Sequence, residues 1–130
     1  MSDYIGDLLR RGTVTEKDIE ELFSYRLADK LTLVERQGSF KKEGRLDLLF
    51  KNRVNKYILY ELKKGVAGLP ALGQIKPYMR SSKKKHKIKK NDLTGIIIAQ
   101  SIDPELAEAL RKEAHIRAER YFFRIDVEPA

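Results

Sequence analysis

Residues 45–63 read Arg-Leu-Asp-Leu-Leu-Phe-Lys-Asn-Arg-Val-Asn-Lys-Tyr-Ile-Leu-Tyr-Glu-Leu-Lys, two apolar runs on either side of a mostly polar break, Asn52 to Asn55. Runs rich in aliphatic and aromatic residues suit strands, and a short polar break between two of them is a hairpin signal. The strands are expected at Arg45 to Lys51 and Lys56 to Lys63. With the turn centred on Val54, residues equidistant from it face one another: Lys51 with Tyr57, Leu49 with Leu59, Asp47 with Glu61, and Arg45 with Lys63. Side chains alternate along a strand, so Asp47, Glu61 and Lys63 share one face, and the two carboxylates are direct cross-strand neighbours.

Two facing carboxylates repel each other unless a proton or a cation sits between them. No second lysine or arginine is obviously aimed at both, and hard oxygen ligands of this kind suit magnesium or manganese, which also bind substrate phosphate. Lys63 lies two residues past Glu61, roughly 7 Å further along the same face. Its ammonium there could orient a water or steady the charge that builds on a phosphate under attack. Metal, carboxylates and lysine together describe phosphodiester hydrolysis. An acid-x-Lys triplet alone would ordinarily be a solvated strand in a chain this rich in Lys and Glu. Glu61-Leu62-Lys63 is the only such triplet, however, and it closes an apolar strand, where charges are awkward to place.

Upstream of the hairpin, Ile19, Leu22, Phe23 and Leu27 recur at helical spacing between Thr15 and Asp29, with Thr15 placed to cap and Glu16 in the first turn. Tyr4 to Leu9 adds a short helical turn, and Thr32 to Arg36 reads as a short strand before a polar stretch, Gln37 to Gly44. Downstream, Gly65 to Leu69 turns the chain and Pro70 opens a helix carrying Leu72, Ile75 and Met79 on one side. Gln74 and Tyr78, four residues apart, point the same way. Pro77 removes one backbone hydrogen bond and is expected to kink or end that helix. The basic segment from Arg80 to Lys90 then follows as a loop or an irregular helical extension. Thr94 to Gln100 is a continuous apolar run, as in a strand covered on both faces. Asp103-Pro104-Glu105 supplies a cap, a first-position proline and an acid for a helix running to about Ala114, and Arg120 to Val127 reads as a closing strand.

The chain has 130 residues, enough for one core and one domain. Its net charge is +8, and Arg80, Lys83, Lys84, Lys85, Lys87, Lys89 and Lys90 account for nearly all of it. A basic segment on a nearly neutral body is an electrostatic footprint for a polyanion, where diffuse charge would mostly indicate solubility. No run approaches the roughly 18 apolar residues of a membrane span. Met1-Ser2-Asp3-Tyr4 lacks the basic-then-apolar order of a signal peptide, and there is no cysteine for a disulfide or a thiolate zinc site. The expectation is a cytoplasmic protein with no membrane partner. His86 and His115 lack partners at ligand spacing and are expected at the surface.

Three stretches in order, Gly44-Arg45-Leu46-Asp47-Leu48-Leu49, then Tyr57-Ile58-Leu59-Tyr60-Glu61-Leu62-Lys63-Lys64, then Gly73-Gln74-Ile75-Lys76-Pro77-Tyr78, resemble the PD-(D/E)XK nuclease superfamily. Within it they are similar to the RecB-like catalytic domain at the C-terminus of archaeal NucS/EndoMS endonucleases. Thr94 to Ile102 and the helix after it share the likeness. The resemblance covers about residues 13 to 127 and does not extend to the N-terminal DNA-binding and dimerising domain of those endonucleases. It implies an α/β fold with a small restriction-endonuclease-like core, a central mixed β-sheet flanked by helices, within one domain that has an N-terminal extension over 1–12 and a basic loop over 80–91. It also implies Asp47 and Glu61 as metal-binding acids, Lys63 as the catalytic lysine, and Gln74 with Tyr78 as the helix motif lining the site. Glu16 matches a further acidic position, although a first-turn dipole partner accounts for it equally well.

The expected function is a magnesium-dependent DNA nuclease, with manganese able to substitute, that is structure-selective rather than sequence-specific. The segment from Arg80 to Lys90, with Lys64 and an added loop of Lys41, Lys42 and Arg45, would grip the DNA backbone without reading bases. The DNA could be single-stranded, branched or duplex. Three alternatives stay open: a dimeric endonuclease of the Holliday-junction-resolvase type, which makes a homodimer an option; a restriction-type enzyme; and a non-catalytic nucleic-acid-binding module.

Overall fold

The hairpin forms with the register its turn dictates. In a computed structural model that describes residues 30–39, 45–122 and 127–130, β2 (Arg45–Lys51) and β3 (Tyr57–Lys63) pair antiparallel. Arg45 lies opposite Lys63, Asp47 opposite Glu61, Leu49 opposite Leu59 and Lys51 opposite Tyr57. Asn52 fixes the centre of the turn. Its side-chain Oδ1 accepts the backbone N–H groups of Val54 and Lys56, each at 3.0 Å, and Asn55 takes the left-handed conformation, φ 60°, that Asn tolerates better than most residues.

Around this hairpin a five-stranded mixed sheet assembles in the order β1-β2-β3-β5-β7. β1 (Thr32–Ser39) adds antiparallel to β2, while β5 (Leu93–Ala99) and β7 (Ile116–Arg120) add parallel beyond β3. The parallel connections require crossovers, supplied by α1 (Pro70–His86) and α2 (Pro104–Leu110). Two two-residue strands, β4 (Val66–Ala67) and β6 (Ser101–Ile102), pair parallel beyond the carboxyl ends of β3 and β5. The alternating strand residues define two apolar faces. Leu49, Leu59, Leu93 and Ile97 pack with Ile75 and Met79 of α1, and Leu46, Leu48, Phe50, Leu62, Ile96 and Ile98 line the other. Because the Leu93 to Ala99 run is buried on both sides, it shows no polar alternation.

Several elements differ from expectation. Helix α1 continues through Pro77 to His86, so Arg80 to His86 is helical and only Lys87 to Lys89 is irregular before a short 3-10 turn at Lys90–Asp92. Burial of Ala71, Ile75, Met79 and Ser82 along one stripe spans the proline, and this packing outweighs one missing hydrogen bond. β1 runs three residues past Arg36, and α2 stops at Leu110 rather than near Ala114. Asp103 makes no side-chain cap bond; its backbone N–H donates to Ala67 O at 2.9 Å, tying α2 to β4 instead. Among the described residues the last strand is Ile116–Arg120, upstream of the expected Arg120 to Val127, of which residues 123–126 lie outside the described residues; Ile116 is buried in the core, Tyr121 packs against its edge just past the strand, and Phe122 is exposed. The helical segments expected at Tyr4 to Leu9 and Thr15 to Asp29 lie outside the described residues.

Candidate active site

Asp47 and Glu61 enter the sheet from adjacent central strands, on the face that α1 covers. Both are almost fully buried, at 2% and 0% exposure. Strand alternation forces this: Leu46, Leu48 and Leu62 occupy the opposite face, so Asp47 and Glu61 must point toward the helix. Such placement is expensive for ionised carboxylates unless a compensating charge or hydrogen bond accompanies them.

Lys63, the next residue on that face, is half-buried. Its Nζ donates to Gln74 Oε1 at 2.7 Å, so the first half of α1 holds the ammonium in place. One turn on, Tyr78 lines a small recess of about 10 Å³, the size of a single water, together with Asp47, Leu49, Leu59, Ser82 and two residues of β1, Glu35 and Gln37. The structure therefore brings Asp47, Glu61, Lys63, Gln74 and Tyr78 to one end of the interface between sheet and helix.

Glu35 and Gln37 are neighbours that sequence reasoning missed. Gln37 pairs directly with Asp47 across β1 and β2. Glu35 accepts a hydrogen bond from Lys85 Nζ, and its Oε2 lies 3.2 Å from His86 Nε2. The bond from Lys85, then that from His86, outweighs burial and holds the Glu35 carboxyl at about 2, against an ordinary 4.5. The useful signal was the two-residue spacing of Glu35 and Gln37, but their register against β2 runs through residues 40–44, which contain no tight-turn pattern. The bulge between Leu33 and Glu35 shifts it further.

His86 is accordingly a half-buried partner of Glu35 rather than a plain surface residue, and His115 is half-buried with its carbonyl accepting the Gly95 N–H at 2.8 Å. The basic residues divide. Lys85 turns toward Glu35, Arg80, Lys83 and Lys90 line a cavity on the other flank of α1, and Lys64, Lys84, Lys87 and Lys89 are exposed. Arg45 is placed by its backbone opposite Lys63. Glu16, Lys41 and Lys42 lie outside the described residues. Among the described residues no group of three or more His, Cys, Asp or Glu is placed to hold a metal ion, and no helix is long and apolar enough to cross a membrane.

The donor set fits a hard divalent cation that keeps most of its own water. Magnesium binds through one or two carboxylates and completes its shell with water and substrate phosphate, and Asp47 with Glu61 offers two carboxylates.

A family model described as the Endonuclease NucS C-terminal domain matches residues 16–125. Endonuclease NucS of Methanocaldococcus jannaschii is 35% identical over 77 residues, covering 59% of this chain and 28% of that protein. Among solved structures, EndoMS in its apo form superimposes with a TM-score of 0.66 at 19% identity, over 87% of this chain and 48% of the other. A repair endonuclease from Pyrococcus abyssi gives 0.62 at 19% identity, over 84% and 47%. The chain thus spans about half the length of these solved relatives, and the similarity at this identity is one of fold.

Proposed function

Since the chain belongs to the Endonuclease NucS C-terminal domain family, we propose that it is a metal-dependent nuclease domain that hydrolyses DNA phosphodiester bonds, selecting its substrate by structure rather than base sequence. The observation that carries this reading is the buried cross-strand pair of Asp47 and Glu61 with Lys63 fixed beside it by Gln74.

Asp47 and Glu61 would hold magnesium, or manganese in its place. When bound, the ion lowers the pKa of a water and offsets phosphate charge. Lys63 has the task of placing positive charge near the attacked phosphate. Its hydrogen bond to Gln74 restrains the long side chain before substrate arrives, which favours catalysis because orientation is already set. Tyr78 and the residues around it pack the inner wall and limit water to a recess of about 10 Å³. The positive residues of and after α1 attract the DNA backbone. Contacts of that kind position a strand without reading it, in keeping with structural rather than sequence selection.

The test is cleavage of labelled single-stranded, duplex, flap, mismatched and four-way-junction DNA, each with magnesium, manganese or EDTA. Metal-dependent cutting that favours one DNA shape across unrelated sequences is the expected result. Products sharing a cut sequence would contradict structural selection. Salt-sensitive binding without cleavage under every metal would instead indicate a nucleic-acid-binding module.

A further inference from the structure

On the flank of α1 opposite Gln74 and Tyr78, a cavity of about 310 Å³ opens between the helix and the segment joining α2 to β7. Lys76, Arg80 and Lys83 reach it from α1 and Lys90 from the following turn, while Glu113, Ala114, His115 and Ile116 form the far wall. We infer that this cavity is a nucleotide-binding site, distinct from the carboxylate centre, that takes a phosphate at its cationic rim and a nucleobase against its apolar floor. The inference stands without the nuclease reading, since none of its residues belongs to the proposed catalytic set.

Three observations support it. First, the rim carries a surplus of positive charge. Lys76 is engaged by Glu113, whose two carboxylate oxygens lie 3.2 and 3.3 Å from its Nζ, but Arg80, Lys83 and Lys90 have no carboxylate within salt-bridge distance among the described residues. Three cations converging on one concavity, with one fork-shaped guanidinium among them, match a phosphate better than a neutral ligand.

Second, the floor is apolar. Met79 and Ile116 are core residues that also line this cavity, with Ala114 beside them. A bare phosphate would gain nothing from that floor, whereas a base would bury a flat apolar face, with the thioether of Met79 as an adaptable contact. His115, on the wall, is a residue type that can stack on a base or hydrogen-bond to it. Third, the floor is rigidly set. Gly95 of β5 lets α1 approach so closely that an added Cβ would lie 2.6 Å from Met79 Sδ, and the Gly95 N–H bond to His115 O anchors the opposite wall to the same strand. The volume lies at the lower end of the range for small-ligand sites, which suits one nucleotide.

Fluorescence anisotropy with a labelled dAMP tests the site directly, alongside unlabelled adenosine and inorganic phosphate as competitors. Saturable binding is expected, with dAMP competing more strongly than either half alone. Arg80→Glu and Ala114→Phe, the latter filling the cavity from an exposed position, should each weaken binding about tenfold or more. Arg53→Glu, in the exposed hairpin turn, should leave it unchanged. A short single-stranded oligonucleotide separates the two sources of such a group: displacement of dAMP assigns the cavity to a nucleotide within a strand, and retention assigns it to a free nucleotide. Equal loss in Arg53→Glu and Arg80→Glu would overturn the inference in favour of diffuse charge. Phosphate competing as well as dAMP would overturn it as well, because the floor would then contribute nothing.

Discussion

Asp47 and Glu35 lie on neighbouring strands and line one recess, yet their environments differ. Glu35 is compensated by Lys85 and His86, whereas Asp47 faces a second carboxylate across the hairpin. This contrast gives separate predictions. Because the Glu35 carboxyl is lowered from 4.5 to about 2, its contribution to stability is present above pH 4.5 and is lost as pH falls through 2. Glu35→Gln should therefore destabilise the protein at neutral pH and flatten its stability profile across that acid window, as measured by urea unfolding at successive pH values. An unchanged profile would show that the bonds to Lys85 and His86 add no net stability. For Asp47 and Glu61 the expected dependence is on metal. Magnesium at about 100 times its dissociation constant should stabilise the protein by about 2.7 kcal/mol, and Asp47→Asn or Glu61→Gln should abolish that increment in a thermal melt. Lys63→Met should reduce cleavage by about 10²-fold or more while leaving the metal-induced shift intact. The placement of these residues on one face was legible in the sequence because hairpin register is local arithmetic. Glu35 was not, since its role depends on a strand pairing and on a helix terminus 50 residues away.

At the scale of elements, the hairpin was legible for a related reason: Asn52 and Asn55 specify the turn, and the turn sets all seven cross-strand pairs. Helix α1 was read less well. Pro77 argued for a kink or an end, but Ile75, Met79 and Ser82 bury on both sides of it and keep the helix going, so of the loop and the helical extension that the sequence left open for Arg80 to Lys85, the extension is the one that forms. Pro77 is exposed, and the bond it forfeits is to the carbonyl of Gly73. Pro77→Ala should therefore stabilise the protein by about 1–3 kcal/mol without changing the site, a shift that denaturant melts would register. At the other contact of this helix, Gly95→Ala would force Met79 and Ile75 aside, since the new Cβ would approach them to 2.6 and 3.0 Å. Overpacking of that kind costs about 1–3 kcal/mol, and a melt unchanged from the parent would show that the two surfaces are looser than the structure indicates. The small pair β4 and β6 left no readable pattern, because two residues carry no periodicity.

Across the whole molecule, the fold places the carboxylate centre on one flank of α1 and a cationic cavity on the other, with further lysines at the helix end. The net charge of +8 was read from composition, and its location from the run of basic residues. How that run divides could not be read, because helical phase turns Lys85 toward β1 and Arg80 and Lys83 away from it. DNA affinity should fall steeply with salt, by about 0.9 log units per log unit of salt for each phosphate contacted. A slope reduced by about one in Arg80→Ala, with little change in Lys85→Ala, would follow from this division. The central claim is that Asp47 and Glu61 together hold the metal that drives DNA cleavage, and the most direct measurement is cleavage of a labelled DNA by the protein and by folded Glu61→Gln, each with magnesium and with EDTA. The account predicts cutting by the parent in magnesium alone and none by the variant in either condition. Equal cutting by the two proteins, or cutting that survives EDTA, would contradict it.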